Sequence, residues 1–113
     1  MDQPPITTSE EVREGHRLGK GIVALESTVL THGLPRPQNL ELARDMEQAV
    51  RGNEAAPATI AFLDGRLRIG LTGPELDRLA NEKEVYKVGP RDFATMISRR
   101  ASGGTTVAGT MLA

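Results

Sequence analysis

Apolar residues along this chain fall into short runs separated by polar, glycine- and proline-rich breaks. Ile22 to Glu26 is an apolar run closed by a carboxylate, the pattern of a buried strand. Thr59–Leu63 and Arg66–Leu71 flank Asp64-Gly65, the residue pair preferred in a tight hairpin turn. Arg66 and Arg68 alternate with Leu67 and Ile69, which predicts one wet face on that second strand. Val85–Val88 reads as a further short strand.

Helical spacing fills the gaps between these runs. Met1–Thr8 is polar, carries paired prolines and is expected to be loose. Thr8-Ser9-Glu10-Glu11 has the form of a capping box and predicts a short helix to about Leu18. Asn39 is placed to cap a helix to Arg51, with Ala43, Met46, Ala49 and Val50 on one face and Gly52 as its stop. Thr72 and Glu75 form a second capping box with Pro74 in the first turn, and Leu76, Leu79 and Ala80 face inward. Pro90 opens a helix with Phe93, Met96 and Ile97 inward and Arg99-Arg100 in its last turn, where cations suit the dipole.

Two segments resist regular structure. Gly33, Pro35 and Pro37 interrupt any ladder between Ser27 and Gln38. Gly103-Gly104 is expected to end the last helix, and the apolar segment Thr105–Ala113 begins there. Strands alternating with helices predict an α/β class, layered α/β/α, with a sheet made mixed by the hairpin. No polar cap closes the apolar segment at Ala113, so the fold is expected to be incomplete, the front portion of a larger enzyme. The expected division is an N-terminal extension with a short helix over 1–20 and the first portion of the larger domain over 21–113.

Composition narrows the function classes. The 113 residues are 38% hydrophobic and 26% charged with net charge −1, an ordinary globular balance. No basic stripe dominates, and the three aromatics, Phe62, Tyr86 and Phe93, are few for stacking on bases, so no nucleic-acid partner is expected. The absence of cysteine removes disulfides, thiolate nucleophiles and cysteine metal sites. No apolar run approaches the roughly 18 residues of a membrane span. The start is acidic and polar rather than signal-like, so a cytoplasmic location with no membrane partner is expected.

Candidate chemistry concentrates where strands end, since open α/β sheets bind ligands at their carboxyl edge. Glu26 closes an apolar run, and partial desolvation there would favour the protonated form that a general acid needs. Equally, it is placed to hydrogen-bond the loop behind it. His32 lies in a Gly/Pro loop, where bracing the backbone competes with proton transfer. Lys87 interrupts an apolar strand, either to hold a phosphate or to point outward. Gly103-Gly104-Thr105-Thr106-Val107-Ala108-Gly109 lets backbone amides approach a ligand, yet it lacks the ending of a phosphate-binding P-loop and the spacing of a dinucleotide fingerprint. The two histidines and scattered carboxylates make no recognisable metal constellation.

Four segments together resemble a known family: Val-Ala-Leu-Glu-Ser-Thr-Val-Leu-Thr-His-Gly-Leu-Pro-Arg-Pro-Gln-Asn over 23–39, Pro-Ala-Thr-Ile-Ala over 57–61, Asp-Gly-Arg-Leu-Arg-Ile-Gly-Leu-Thr over 64–72, and Thr-Thr-Val-Ala-Gly-Thr-Met over 105–111. They resemble the pseudouridine-5′-phosphate glycosidases, also called the indigoidine synthase A-like family, in register from about Ile22 to Ala113. The resemblance implies reversible cleavage of pseudouridine 5′-phosphate to uracil and ribose 5-phosphate. The bond broken is carbon–carbon, and the family uses a lysine nucleophile on the anomeric carbon, a glutamate for the proton at uracil C5 and a divalent metal, usually manganese. By resemblance that glutamate is Glu26, the substrate-contacting lysine is Lys87, and the uracil-side backbone contact is Val107 with Thr106 beside it. His32 and Asn39 share the motif without a definite role.

The pattern also departs from the family. Gly89-Pro90 stands where a more polar pair is usual. Lys20, Lys83 and Lys87 are the only lysines, and none matches the nucleophile's context. The family's nucleophile, acidic metal loop and later asparagine contact belong to its middle and C-terminal parts. The resemblance therefore implies metal ligands outside these residues, a homo-oligomer when complete, and no catalysis by this chain alone. The competing expectations are a non-catalytic phosphate- or nucleobase-binding module and a vestigial remnant.

Overall fold

A computed structural model describes residues 5–113. Its centre is β3 (Ala56–Leu63), buried along its whole length. Tight antiparallel pairing with β4 (Arg66–Ile69) follows from the hairpin, in which Asp64 (φ 50°) and Gly65 (φ 79°) both take the left-handed conformation that this turn requires. β1 (Ile6–Thr8) pairs parallel with β4, so the expected looseness of Met1–Thr8 fails for Ile6–Thr8, while Met1–Pro4 lie outside the described residues. β5 (Tyr86–Val88) runs parallel to β6 (Gly103–Thr105), which pairs antiparallel with β3.

The mixed sheet thus has the order β1-β4-β3-β6-β5, with β2 (Ile22–Leu25) joined to β3 outside that path. β2 runs parallel to the first half of β3, over Ala56–Thr59, and β6 takes the second half, at Ala61 and Phe62. Pro57 is tolerated inside β3 because Ala56 N–H points to β2 (Gly21 O, 2.9 Å), so the position after it faces the other way. β2 was expected to be buried. It is an exposed edge instead, with Ile22 and Val23 open to solvent, because β3 is its one partner among the described residues.

Helices cover both faces. α2 (Gln38–Arg51) and α3 (Gly73–Asn81) lie over a cluster that includes Leu30, Ala43, Ala61, Leu63, Leu76 and Leu79. α1 (Glu10–Arg17) and α4 (Phe93–Arg99) meet the opposite cluster of Val12, Ala58, Ile60, Phe62, Leu67, Val88 and Met96. Successive β3 side chains serve the two faces alternately, as a strand must. Phe62 and Phe93 pack edge to face at 5.0 Å between ring centres. The α3 capping box forms as expected between Thr72 and Glu75.

Several local expectations are corrected. The N-cap of α1 is Ser9, which accepts from Val12 N–H, rather than Thr8. Asn39 sits inside the first turn of α2, not before it, and is buried. On α2 the buried positions include Glu47, while Ala49 is exposed. Thr59 Oγ1 donates to Glu47 Oε2 (2.6 Å) and Arg51 pairs with Glu47 (3.1 Å), and those bonds let a charge replace an apolar side chain there. Arg68 is half-buried against Glu75 rather than on a wet face. Ile97 is largely exposed, and Arg100 closes α4 in a left-handed conformation. Gly103-Gly104, read as a turn, forms β6 in the sheet interior, followed by α5 (Val107–Leu112).

Candidate functional site

The C-terminal ends of β2 and β6 meet head to head beside the middle of β3. β2 rises to Leu25 opposite Thr59, and β6 descends to Thr105 next to Ile60. The chain leaves β2 through Glu26-Ser27-Thr28 into a wide π-type turn over Val29–Gly33. From β6 it passes through Thr106 into α5. Glu26 and Val107, from segments far apart in the chain, are therefore brought together at this joint.

Glu26 is half-buried, and its Oε2 accepts the Thr28 N–H at 3.0 Å. That is the loop-bracing bond allowed for in the sequence, and it holds one carboxylate oxygen in a set direction. Glu26 and Val107 line the same cleft, about 330 Å³, together with Ala24, Leu25, Met46, Thr110 and Met111. Val107 is 63% exposed at the start of α5. Thr106 does not line the cleft. It is the N-cap of α5, where its Oγ1 accepts from Gly109 N–H (3.0 Å), and its own N–H donates to Val88 O (3.0 Å).

Lys87 is exposed on β5, paired in register with Gly104, and so lies one strand beyond the β6 end that carries Thr106. It is not among the cleft-lining residues. The Gly89-Pro90 segment after it is ordered by Asp92, whose Oδ2 accepts from Gly89 N–H at 2.9 Å. His32 is exposed, with Nδ1 at 2.7 Å from Thr31 Oγ1. Asn39 braces a turn and a helix at once. Its Nδ2 donates to Leu30 O (3.0 Å) and Ala80 O (3.1 Å), which fixes the turn after Glu26 against α3.

Ser27, Thr31, Gly104 and Thr105 lie in motifs read from the sequence, but their packing role was not read there. Ser27 and Thr105 are fully buried and hydrogen-bonded into the joint between β2, β3 and β6. Thr31 Oγ1 and Ser27 O occupy the space beside Gly104, where a Cβ would stand 2.4 and 2.7 Å from them. The signal available was the hydroxyl cluster closing an apolar run. Hydroxyls of that kind end strands in many loops, so spacing alone did not mark these as core.

The carboxylates held below their usual range lie outside this cleft. An Arg51 hydrogen bond lowers Glu11, an Arg17 hydrogen bond lowers Glu14, and an Arg78 hydrogen bond lowers Asp64. Among the described residues no three His, Asp or Glu side chains come together to hold a metal ion. A larger apolar cleft, about 540 Å³, adjoins this one through Ala24, Thr110 and Met111 and includes Ile6, Ile22, Ile60, Leu67, Phe93 and Leu112.

Comparison with known proteins gives this geometry its context. The chain is 52% identical over 108 residues to a pseudouridine-5′-phosphate glycosidase of Jannaschia sp. (strain CCS1), covering 96% of the chain and 36% of that relative. It is 48% identical over 107 residues to the corresponding glycosidase of Lysinibacillus sphaericus (strain C3-41), covering 95% of the chain and 35% of the relative. The chain thus spans about a third of the length of these relatives. Among solved structures, it is similar to the prealnumycin C-glycosynthase AlnA in complex with ribulose 5-phosphate, with a TM-score of 0.82 and 34% identity over 98% of the chain and 35% of AlnA. An indigoidine synthase A-like protein from Thermotoga maritima matches with a TM-score of 0.81 and 30% identity, over 95% of the chain and 34% of that protein. The family model described as indigoidine synthase A like protein matches residues 11–113, and this chain belongs to that family.

Proposed function

We propose that this chain supplies the acid-bearing part of a pseudouridine-5′-phosphate glycosidase. The observation that carries the reading is the shared cleft: Glu26 at the end of β2 and Val107 at the start of α5 face one pocket although they are distant in sequence. In this reading Val107 contacts the uracil side, Thr106 beside it holds the start of α5 as its N-cap, and Glu26 delivers the proton to uracil C5 as the bond to the sugar's anomeric carbon breaks. The Thr28 N–H fixes one oxygen of Glu26, and the other is left for the proton. Lys87, on the neighbouring strand, is assigned to the substrate phosphate, where a point charge on a flexible stem is suited to an anion. The ribulose 5-phosphate bound by AlnA supports a sugar phosphate as the ligand class.

The nucleophilic lysine and the divalent metal, manganese by resemblance, are assigned to the part of the relatives that lies beyond this chain's match. A cytoplasmic setting and a homo-oligomeric complete enzyme belong to the same reading. The chain by itself is expected to release no uracil from pseudouridine 5′-phosphate. Joined in frame to the C-terminal two-thirds of the Jannaschia relative, it should release uracil. Glu26→Gln in that chimera should lower the rate by about 100-fold or more, the low end of what a positioned acid contributes. An active isolated chain, or a chimera indifferent to Glu26→Gln, would refute the assignment. A rise in thermal midpoint of the isolated chain with ribose 5-phosphate would favour the binding-module alternative.

A further inference from the structure

We infer that Ser27 is a positioning residue that sets the separation between the Glu26 turn and the Val107 helix start. The inference rests on the glycosidase reading only for its functional consequence. All three polar groups of Ser27 are engaged. Its Oγ donates to Ile60 O at 2.5 Å and accepts Thr105 N–H at 2.8 Å. Its N–H donates to Thr105 O (3.1 Å), and its carbonyl accepts from Leu30 N–H (3.1 Å) and Thr31 N–H (3.2 Å). From the other strand, Thr105 Oγ1 donates to the same Ile60 carbonyl at 2.8 Å and sits 2.8 Å from Thr110 Oγ1 on α5. Both residues are fully buried.

The result is a clasp of two hydroxyls on one carbonyl of β3. Ordinary strand pairing does not supply this link, because β2 and β6 occupy successive stretches of β3 rather than lying side by side. Glu26 precedes one clasp residue and Thr106-Val107 follow the other, so the clasp fixes both sides of the cleft to one point. A buried hydrogen-bond network of this kind rigidifies only when every member is satisfied. Here Ile60 O keeps a donor from Thr105 if the Ser27 hydroxyl is lost, whereas Thr105 N–H loses its acceptor. The fold is expected to survive Ser27→Ala while the joint loosens.

The test uses the 113-residue chain carrying Ser27→Ala, beside Val12→Ala as a core variant on the opposite side of the sheet. Amide exchange at Thr105 should quicken about tenfold in Ser27→Ala, consistent with one buried bond lost. The amide resonances of Glu26, Thr106 and Val107 should also move. Val12→Ala should leave those resonances in place even where it lowers overall stability. Unchanged Glu26 and Val107 resonances in Ser27→Ala, or equal changes in both variants, would overturn the inference. If Ser27→Ala does not fold, Thr105→Val removes the partner hydroxyl at similar volume and is read through the Glu26, Thr106 and Val107 resonances alone, because the residue-105 N–H keeps Ser27 Oγ as its acceptor. In the chimera, Ser27→Ala should lower kcat more than it changes KM, and an unchanged kcat would overturn the positioning role. A chimera inactive with Ser27 intact refutes the substrate reading alone, and the amide readouts then decide the clasp.

Discussion

Replacing Gly104 by alanine tests how tightly the Glu26 turn is pressed against β6. The added Cβ would lie 2.4 Å from Thr31 Oγ1, 2.7 Å from Ser27 O and 3.0 Å from Ser27 C. The threonine hydroxyl could rotate away, but the Ser27 backbone cannot move without breaking its bonds to Thr105 and Ile60. Overpacking against such a wall costs about 1–3 kcal/mol. Gly104 lies outside the left-handed region, so alanine brings no backbone strain and recovers about 0.4–1 kcal/mol by restricting the unfolded chain. The net loss is about 0–2.6 kcal/mol, which for a domain of this size lowers the thermal midpoint by up to about 11 °C. Gly73→Ala is the control, since a Cβ there meets nothing within 4 Å. Circular dichroism melts of the two variants beside the parent chain measure the difference. A Gly104→Ala chain as stable as Gly73→Ala would refute the packing argument.

Three further outcomes follow from particular contacts. Glu47→Ala leaves Thr59 Oγ1 without its acceptor in the core, although Arg51 keeps its bonds to Glu11 at 2.7 and 2.8 Å. Its urea midpoint should show a loss of about 1–3 kcal/mol, the cost of an unsatisfied buried group. Asp64 and Glu11 have carboxyls lowered in the folded state by Arg78 and Arg51, so their stabilisation is present above the unfolded carboxylate range and lost as pH falls through it. Melts between about pH 5 and pH 2 should show the midpoint falling, and Asp64→Asn with Glu11→Gln should flatten that slope, modestly because both pairs are partly exposed. Val107, Met111 and Leu112 are 63%, 81% and 59% exposed on α5, so the isolated chain is expected to self-associate. Sedimentation at rising concentration measures this, and Met111→Lys should reduce it. A monomer at every concentration would count against that expectation.

Periodicity and turn chemistry made the local elements legible before any coordinates. Asp64-Gly65 demanded its hairpin because few other residue pairs accept two successive left-handed conformations. Thr72, Pro74 and Glu75 determined where α3 starts, since capping is settled within four residues. Glu26, Thr106 and Val107 were marked as candidates by the motif that holds them, and Glu26 by its place at the end of an apolar run. What stayed hidden depended on distant partners. Gly103-Gly104 reads locally as a break, and becomes β6 because Tyr86, Ser27 and Thr31 leave no room there for a side chain. Glu47 stands outside the apolar face read from Ala43, Met46, Ala49 and Val50, and becomes a core residue because Thr59 and Arg51 answer it. Whether Ile22–Leu25 is buried depended on how many strands flank it, a count that its own residues do not contain. Local chemistry thus determined where elements begin and end. Only the tertiary structure decided that β2 and β6 meet at Ser27, because that contact is made between residues 78 positions apart.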